Sequence, residues 1–256
     1  MKVLIIGDSN IGDSADNRGN LGRALAQLFT TKYGADVTVV GVRSSTAGQW
    51  VVRRPNHPYG KAKDTSKGRG IFRPFSRLSS SQRARTNLDS LRRINPDLVV
   101  INFASNDAAG YARNNPQAFV DNAKYLKKYF GKPVIWFDGG YARRTEPAKR
   151  PLIQYAKPRL SARDFLFIDS GTPERRSPFE AVGARPHPPV RAWASYLSLP
   201  SVRGQLDRFV RRTNLTASLR RGYGNFVSGL VSGDAPAWTA LAVAAAGVGA
   251  GIFLLG

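Results

Sequence analysis

Short hydrophobic runs alternate with amphipathic segments along most of the chain. The runs contain many β-branched residues, which is typical of strands buried on both faces of a sheet; they span 3–6, 37–42, 98–103, 133–137 and 165–168. Apolar residues recur at helical spacing in the segments 21–33, 88–94, 116–130, 151–159 and 190–199. This alternation predicts an α/β fold with a parallel sheet covered by helices on both faces.

One internal segment, residues 51–86, interrupts the alternation because it shows no hydrophobic periodicity. It is rich in Gly, Ser and Pro, and from 53 to 93 lysine and arginine far outnumber the two acidic residues, Asp64 and Asp89. Two interpretations remain open: an inert, solvated insertion, or an electrostatic arm over the functional site. Under the second, six residues are predicted to bind a polyanion: Arg53, Arg54, Lys61, Lys63, Lys67 and Arg69.

The second interruption is the uncharged segment 235–256. It has the length of a membrane-spanning helix, about 20 residues. Trp238 stands where an interfacial aromatic residue belongs, and Gly247 and Gly251 have the spacing of a helix-packing face that would permit self-association. We predict a C-terminal apolar, membrane-type helix, with a terminal helix buried in a larger assembly as the alternative.

These interruptions divide the chain into three predicted parts: an α/β domain at 1–200, a basic amphipathic connector at 201–234, and a hydrophobic transmembrane helix at 235–256. The N-terminal apolar run is too short for a signal peptide. Positive charges upstream of the apolar segment favour a membrane-associated protein whose α/β domain is cytoplasmic. A component of a virion is the alternative location.

The charge balance restricts the partners. The chain has 39 lysines and arginines against 17 acidic residues, a net charge of +22, which favours nucleic acid, acidic glycans or lipid headgroups as partners. It has no cysteine and two histidines, His57 and His187, without a metal-binding spacing. Neither a metal site nor a cofactor is predicted.

Polar motifs follow two of the predicted strands, and a third precedes the last helix. Ser9, in the sequence Gly-Asp-Ser, comes directly after the first strand, whereas Ser14, in a second Gly-Asp-Ser, follows no strand. Asn106 lies in Ala-Ser-Asn-Asp after the third strand, and His187 lies in Ala-Arg-Pro-His-Pro before the last helix. Ligands of parallel sheets gather at the carboxyl ends of strands, where Ser9 and Asn106 are expected.

This order of motifs resembles the SGNH (GDSL-type) hydrolases over residues 1–199, with 51–86 as an insertion. The resemblance implies a flavodoxin-like three-layer sandwich and hydrolysis of esters by a serine nucleophile. It makes Ser9 the nucleophile and His187 the base. The oxyanion hole would consist of the backbone N–H groups of Ser9 and Ser44 and the side chain of Asn106.

The chain departs from the family pattern at three positions. Ser44 and Ala104 stand where the family has glycine, and Ala184 stands where the family has the aspartate that orients the histidine. We therefore expect a Ser–His dyad, in which a backbone carbonyl or a displaced carboxylate orients His187. Glu180 is the favoured orienter, and Asp169 is the other carboxylate near it in sequence.

Three functions follow from these observations. The first is a serine ester hydrolase, attached to a membrane, that acts on an O-acylated glycan or lipid. The second is a catalytically weak or inactive structural or membrane-penetrating protein, such as a virion component, that binds polyanions. The third, a nucleic-acid-binding protein, rests on charge alone and leaves the Gly-Asp-Ser motif unexplained.

Overall fold

Five parallel strands form one sheet in the order β2-β1-β3-β4-β5. The computed structural model describes residues 1–11, 21–41, 45–51, 88–110, 112 and 114–213. The strands are β1 (Lys2–Gly7), β2 (Asp36–Gly41), β3 (Leu98–Asn102), β4 (Val134–Phe137) and β5 (Phe165–Ile168). All five predicted strands are present, and the α/β class with a parallel sheet is confirmed.

The apolar positions of the central strands run without interruption from Val3 to Ile6 in β1 and from Leu98 to Ile101 in β3, because both faces of the sheet are covered. In β1, Leu4 and Ile6 point into one hydrophobic cluster, while Val3 and Ile5 point into the other. All four side chains are at most 1% exposed. The continuous apolar run is therefore the sequence signature of a strand that lies between two layers of helices.

The described helices are divided between the two faces of the sheet. The helices α2 (Ala47–Val51), α3 (Leu88–Arg93), α4 (Ser105–Ala109), α5 (Pro116–Phe130) and α6 (Glu146–Leu160) contribute to one cluster. The helices α1 (Leu21–Tyr33), α7 (Pro173–Glu180), α8 (Val190–Ser198) and α9 (Pro200–Arg212) contribute to the other. The arrangement is a three-layer α/β/α sandwich.

Helix α6 begins five residues before the predicted start at 151. Pro151 and Pro158 both lie inside it, although proline usually ends or kinks a helix. Leu152 and Ile153 are buried against the sheet, and this packing holds the helix through the prolines. Tertiary contacts thus override a local signal that favours a shorter helix.

Helix α9 differs from the predicted connector at 201–234. Its residues Leu206 and Phe209 are buried in the same cluster as α1 and α8, so this stretch packs on the α/β domain. Asp207 also joins it to α1, because its carboxylate accepts hydrogen bonds from Lys32 and Tyr33. The rest of the connector, the apolar segment 235–256 and residues 52–86 lie outside the described residues.

Among the described helices, none has both the length and the apolar character needed to cross a membrane. All described residues belong to one compact unit.

We predict that Phe209→Ala lowers the free energy of unfolding by about 3–5 kcal/mol, because Phe209 is 1% exposed and its loss leaves a cavity. Urea denaturation measures the change. Arg211→Ala, at an exposed position of the same helix, is the control and should change it by less than about 0.5 kcal/mol. Equal, small effects of both variants would show that α9 contributes little to the domain.

Candidate active site

The sheet has its topological switch point between β1 and β3. From β1 the chain continues to β2 on one side, and then crosses to β3 on the other side. Ligands of open parallel sheets bind in the crevice at the carboxyl ends of such strands. Ser9 follows β1 and Asn106 lies in α4, which follows β3, so both lie at this edge.

The structure brings Ser9 and His187 together across 178 residues of sequence. The Nε2 atom of His187 lies 2.8 Å from the Oγ atom of Ser9, within hydrogen-bond distance. Ser9 is half-buried, and His187 is exposed on the loop between α7 and α8. This is the contact that a general base requires to remove the proton of a serine hydroxyl.

The loop that carries His187 is held by backbone hydrogen bonds of Ala184. Its N–H donates to the carbonyl of Phe179 at 2.8 Å, and its carbonyl accepts from the N–H of Arg143 at 3.2 Å. Ala184 adopts a left-handed conformation (φ 48°), which is uncommon for a residue other than glycine. Ala184, which stands where the SGNH pattern has an acid, is therefore a buried residue in a strained conformation whose hydrogen bonds fix the loop.

The two carboxylates considered as orienters are not brought to His187. Glu180 is exposed at the end of α7, and no contact in the described ranges joins its carboxylate to His187. Asp169 instead accepts hydrogen bonds from Lys157 and from the N–H of Gly171. Burial favours a higher pKa for Asp169, but these hydrogen bonds hold the pKa below its ordinary value.

Asn106 and its neighbour Asp107 tie α4 to the loop after β2. The side-chain amide of Asn106 donates to the carbonyl of Ser45 at 3.0 Å, and the carboxylate of Asp107 accepts from the N–H of Ala47 at 2.8 Å. An amide nitrogen has two hydrogens, so Asn106 retains a second donor. Ser44, the other predicted oxyanion donor, lies outside the described residues, as do Ser14 and the six predicted polyanion-binding residues.

Asp8, which precedes the nucleophile candidate, is a buried carboxylate. Its Oδ1 accepts hydrogen bonds from the N–H of Asn10 at 2.8 Å and from the side-chain amide of Asn102 at 2.9 Å. Burial raises the pKa of Asp8 to about 6, although these hydrogen bonds and the charge of Lys149 oppose the rise. The turn that presents Ser9 is thereby fixed to the end of β3.

Sequence analysis missed a buried ion cluster at the ends of β4 and β5. Lys149 is completely buried; its Nζ donates to the carbonyl of Gly140 and lies 3.4 Å from Asp138 and 3.2 Å from Glu146. Asp138 also accepts hydrogen bonds from the N–H of Gly140 and from the N–H and Oγ of Ser170, each at 3.0 Å. The pairing of Asp138 and Lys149 satisfies charges that would otherwise be costly to bury.

This cluster holds the Gly139–Gly140 turn, which touches both halves of the site. Both glycines have positive φ angles, 84° and 74°. A Cβ atom on Gly139 would lie 3.2 Å from the Oγ of Ser105, and one on Gly140 would lie 2.4 Å from the ring of Trp193. The turn therefore needs glycine for its conformation and for close packing.

No histidine–carboxylate group in the described part of the chain is arranged to hold a metal ion.

Neither the family models nor the curated proteins match the sequence. Solved structures similar to the chain include GDSL-family lipolytic proteins and an aryl esterase. A protein of Desulfitobacterium hafniense assigned to the lipolytic G-D-S-L family is 14% identical, with a TM-score of 0.49, over 81% of this chain and 98% of that one. The aryl esterase of M. smegmatis is also 14% identical, with a TM-score of 0.46, over 79% and 97%.

A GDSL-like lipase of Bacteroides thetaiotaomicron is 15% identical, with a TM-score of 0.44, over 84% of this chain and 88% of that one. At these identities the function has to be argued from the residues of the site itself.

We predict that Asp8→Asn gains stability relative to the wild type as the pH rises. Because the pKa of Asp8 is about 6 in the folded chain against an ordinary 3.8, the folded state binds the proton more tightly. The contribution of Asp8 therefore falls between about pH 4 and pH 6, and Asn, which does not titrate, avoids a loss of about 3 kcal/mol.

Urea denaturation of both proteins from pH 4 to pH 7 tests this. Asp36→Asn, at an exposed site, is the control for a charge lost without burial. A difference between Asp8→Asn and the wild type that stays constant over this range would contradict the prediction.

We predict that Lys149→Met lowers the free energy of unfolding by about 3–5 kcal/mol, because it leaves Asp138 and Glu146 without their buried partner. Lys157→Met, on the same helix but half-exposed, should cost about 1 kcal/mol or less. Denaturation in urea at pH 7 compares them. The double variant Asp138→Asn/Lys149→Met should recover part of the loss; no recovery would argue against a charge effect.

Proposed function

We propose that this protein is a serine ester hydrolase of the SGNH type, with Ser9 as nucleophile and His187 as general base. The observation that carries the proposal is the 2.8 Å contact between Ser9 Oγ and His187 Nε2. It lies at the switch point of a parallel sheet, where such folds place their ligands. The motif order and the fold support the same assignment.

The proposed reaction proceeds in two halves. Ser9 Oγ attacks the ester carbonyl while His187 Nε2 takes the hydroxyl proton, and a tetrahedral intermediate forms. The intermediate collapses, His187 returns the proton to the departing alcohol, and the acyl group remains on Ser9. Water, deprotonated by His187, then attacks the acyl carbonyl to form a second tetrahedral intermediate. When this intermediate collapses, the bond to Ser9 Oγ breaks, His187 returns the proton to that oxygen, and the acid is released.

The oxyanion of each intermediate needs donors already in place. We assign the backbone N–H of Ser9 and the second amide hydrogen of Asn106 to this role, with the N–H of Ser44 as the third donor. Asn106 suits the role because its contact with the Ser45 carbonyl fixes the orientation of its amide. Removing one such donor typically lowers kcat by about 10²–10³-fold.

We propose that Ser9 and His187 form the core of the catalytic group, and that neither Ala184 nor Glu180 contributes an acid to it. Ala184 supplies no carboxylate, its carbonyl already accepts from Arg143, and Glu180 makes no contact with His187 in the described part of the chain. An acid in a triad holds the imidazole in the correct tautomer and stabilises its cation. Neither Glu180 nor the Ala184 position therefore supplies this function to His187.

The proposed substrate is an O-acylated glycan or lipid at an anionic surface. The net charge of +22 favours accumulation near polyanions and anionic headgroups, and the uncharged segment 235–256 would keep the protein at a bilayer.

We predict that the full-length protein hydrolyses short-chain p-nitrophenyl esters and that Ser9→Ala lowers kcat at least about 10³-fold. His187→Gln should lower it to a similar extent, because both residues act as one unit. Ser14→Ala is the matched control, since it removes a serine from the second Gly-Asp-Ser, and its activity should stay within about twofold of wild type. Asn106→Ala should lower kcat by about 10²–10³-fold.

A fluorophosphonate probe gives an independent readout, because it labels an activated serine irrespective of the natural substrate. Peptide mass spectrometry should find the label on Ser9 in the wild type and not in His187→Gln. A folded wild type that neither turns over esters faster than Ser9→Ala nor takes the label would refute the hydrolase.

A second candidate function is a structural or membrane-penetrating protein that binds polyanions on the same fold. The replacement of the triad acid by Ala184 favours it. It predicts a protein that neither hydrolyses esters nor takes the fluorophosphonate label. It also predicts salt-sensitive binding to nucleic acid or anionic vesicles.

A further inference from the structure

We propose that the ester hydrolysed at this site carries a negative charge close to the scissile bond, and that Arg143 and Arg185 recognise this charge. The inference rests on the proposed hydrolase function and specifies its substrate class: an ester with a carboxylate or phosphate group on its acyl or alcohol part.

Both arginines lie where two loops of the site meet. Arg143 is on the loop after β4, and its backbone N–H donates to the carbonyl of Ala184 at 3.2 Å. Arg185 follows Ala184 directly and precedes His187 by two residues. The hydrogen bond therefore fastens the Arg143 loop to the loop that carries both Arg185 and the base.

No described carboxylate neutralises either guanidinium. Both side chains are exposed, and neither forms an ion pair within the described ranges. The carboxylates nearest to Arg143 in sequence already have a cation, since Asp138 and Glu146 both pair with Lys149. Glu180 is the exposed acid closest in sequence to Arg185, and exposed Arg144 adds a further positive charge beside Arg143.

Guanidinium groups suit the proposed task. Each presents a planar set of N–H donors that matches the two oxygens of a carboxylate or phosphate. An exposed cation without an ion pair among the described residues can contact an anionic substrate without first leaving any of them. Placed beside His187, the pair would favour anionic esters over neutral esters of the same size.

Steady-state hydrolysis by the full-length protein tests the inference with three esters of similar size. The first is neutral p-nitrophenyl butyrate, the second is the p-nitrophenyl monoester of succinate, with its charge on the acyl part, and the third is 3-butyryloxybenzoate, with its charge on the alcohol part. The proteins are the wild type, Arg143→Gln, Arg185→Gln and the double variant. The Arg143 variant keeps the backbone hydrogen bond to Ala184.

We expect the wild type to prefer at least one of the two anionic esters. The double variant should lower kcat/KM for that ester about five- to tenfold, mainly through KM, and change the neutral ester by less than about twofold. Added salt should weaken the preference of the wild type. Arg163→Gln removes one exposed arginine from the turn before β5, at the opposite edge of the sheet, and should change neither ester.

Thermal melting of each variant checks that the fold is intact. Turnover of all three esters without a charge preference, or an equal loss for neutral and anionic esters in the double variant, would overturn this inference and leave the hydrolase standing. Absence of turnover and of fluorophosphonate labelling in the wild type would overturn the hydrolase, and this inference with it.

Discussion

The buried carboxylate of Asp138 is the constraint on which the site edge depends. Asp138 directly follows β4, and its oxygens accept hydrogen bonds from the N–H of Gly140 in the same turn and from the N–H of Ser170 after β5. A buried charge with these contacts still needs a cation, and Lys149 provides one from inside the domain. These contacts hold the ends of β4 and β5 to α6, because Asp138 would be a buried charge without a cation if Lys149 were removed.

The loop that carries His187 depends on this arrangement through packing and one backbone hydrogen bond. Gly140 packs against Trp193 of α8, and Arg143, farther along the same loop, donates to Ala184. His187 lies between these two anchors and so reaches Ser9, which the first strand presents from the other side of the crevice. A contact between residues distant in sequence is thus set by a network that includes neither of them.

A second buried carboxylate, Asp8, acts on the serine side of the crevice. Its hydrogen bonds to Asn10 and Asn102 fix the turn after β1, but its burial raises its pKa. At neutral pH the ionised, buried Asp8 therefore lowers the free energy of unfolding, while its hydrogen bonds fix the turn beside Ser9. On the other side of the crevice the cost is conformational, since Ala184, three residues before His187, adopts a left-handed backbone.

The sequence by itself determined the five strands and the parallel sheet, and it identified Ser9 and His187 as candidate site residues. Apolar runs and short motifs are local signals, which a sequence shows directly. It could not determine the start of α6 through Pro151 or the packing of α9, since both depend on apolar contacts with elements distant along the chain. The burial of Lys149 was equally hidden. A lysine is normally exposed, and only the tertiary structure brings Asp138 to Lys149 as the partner of its charge.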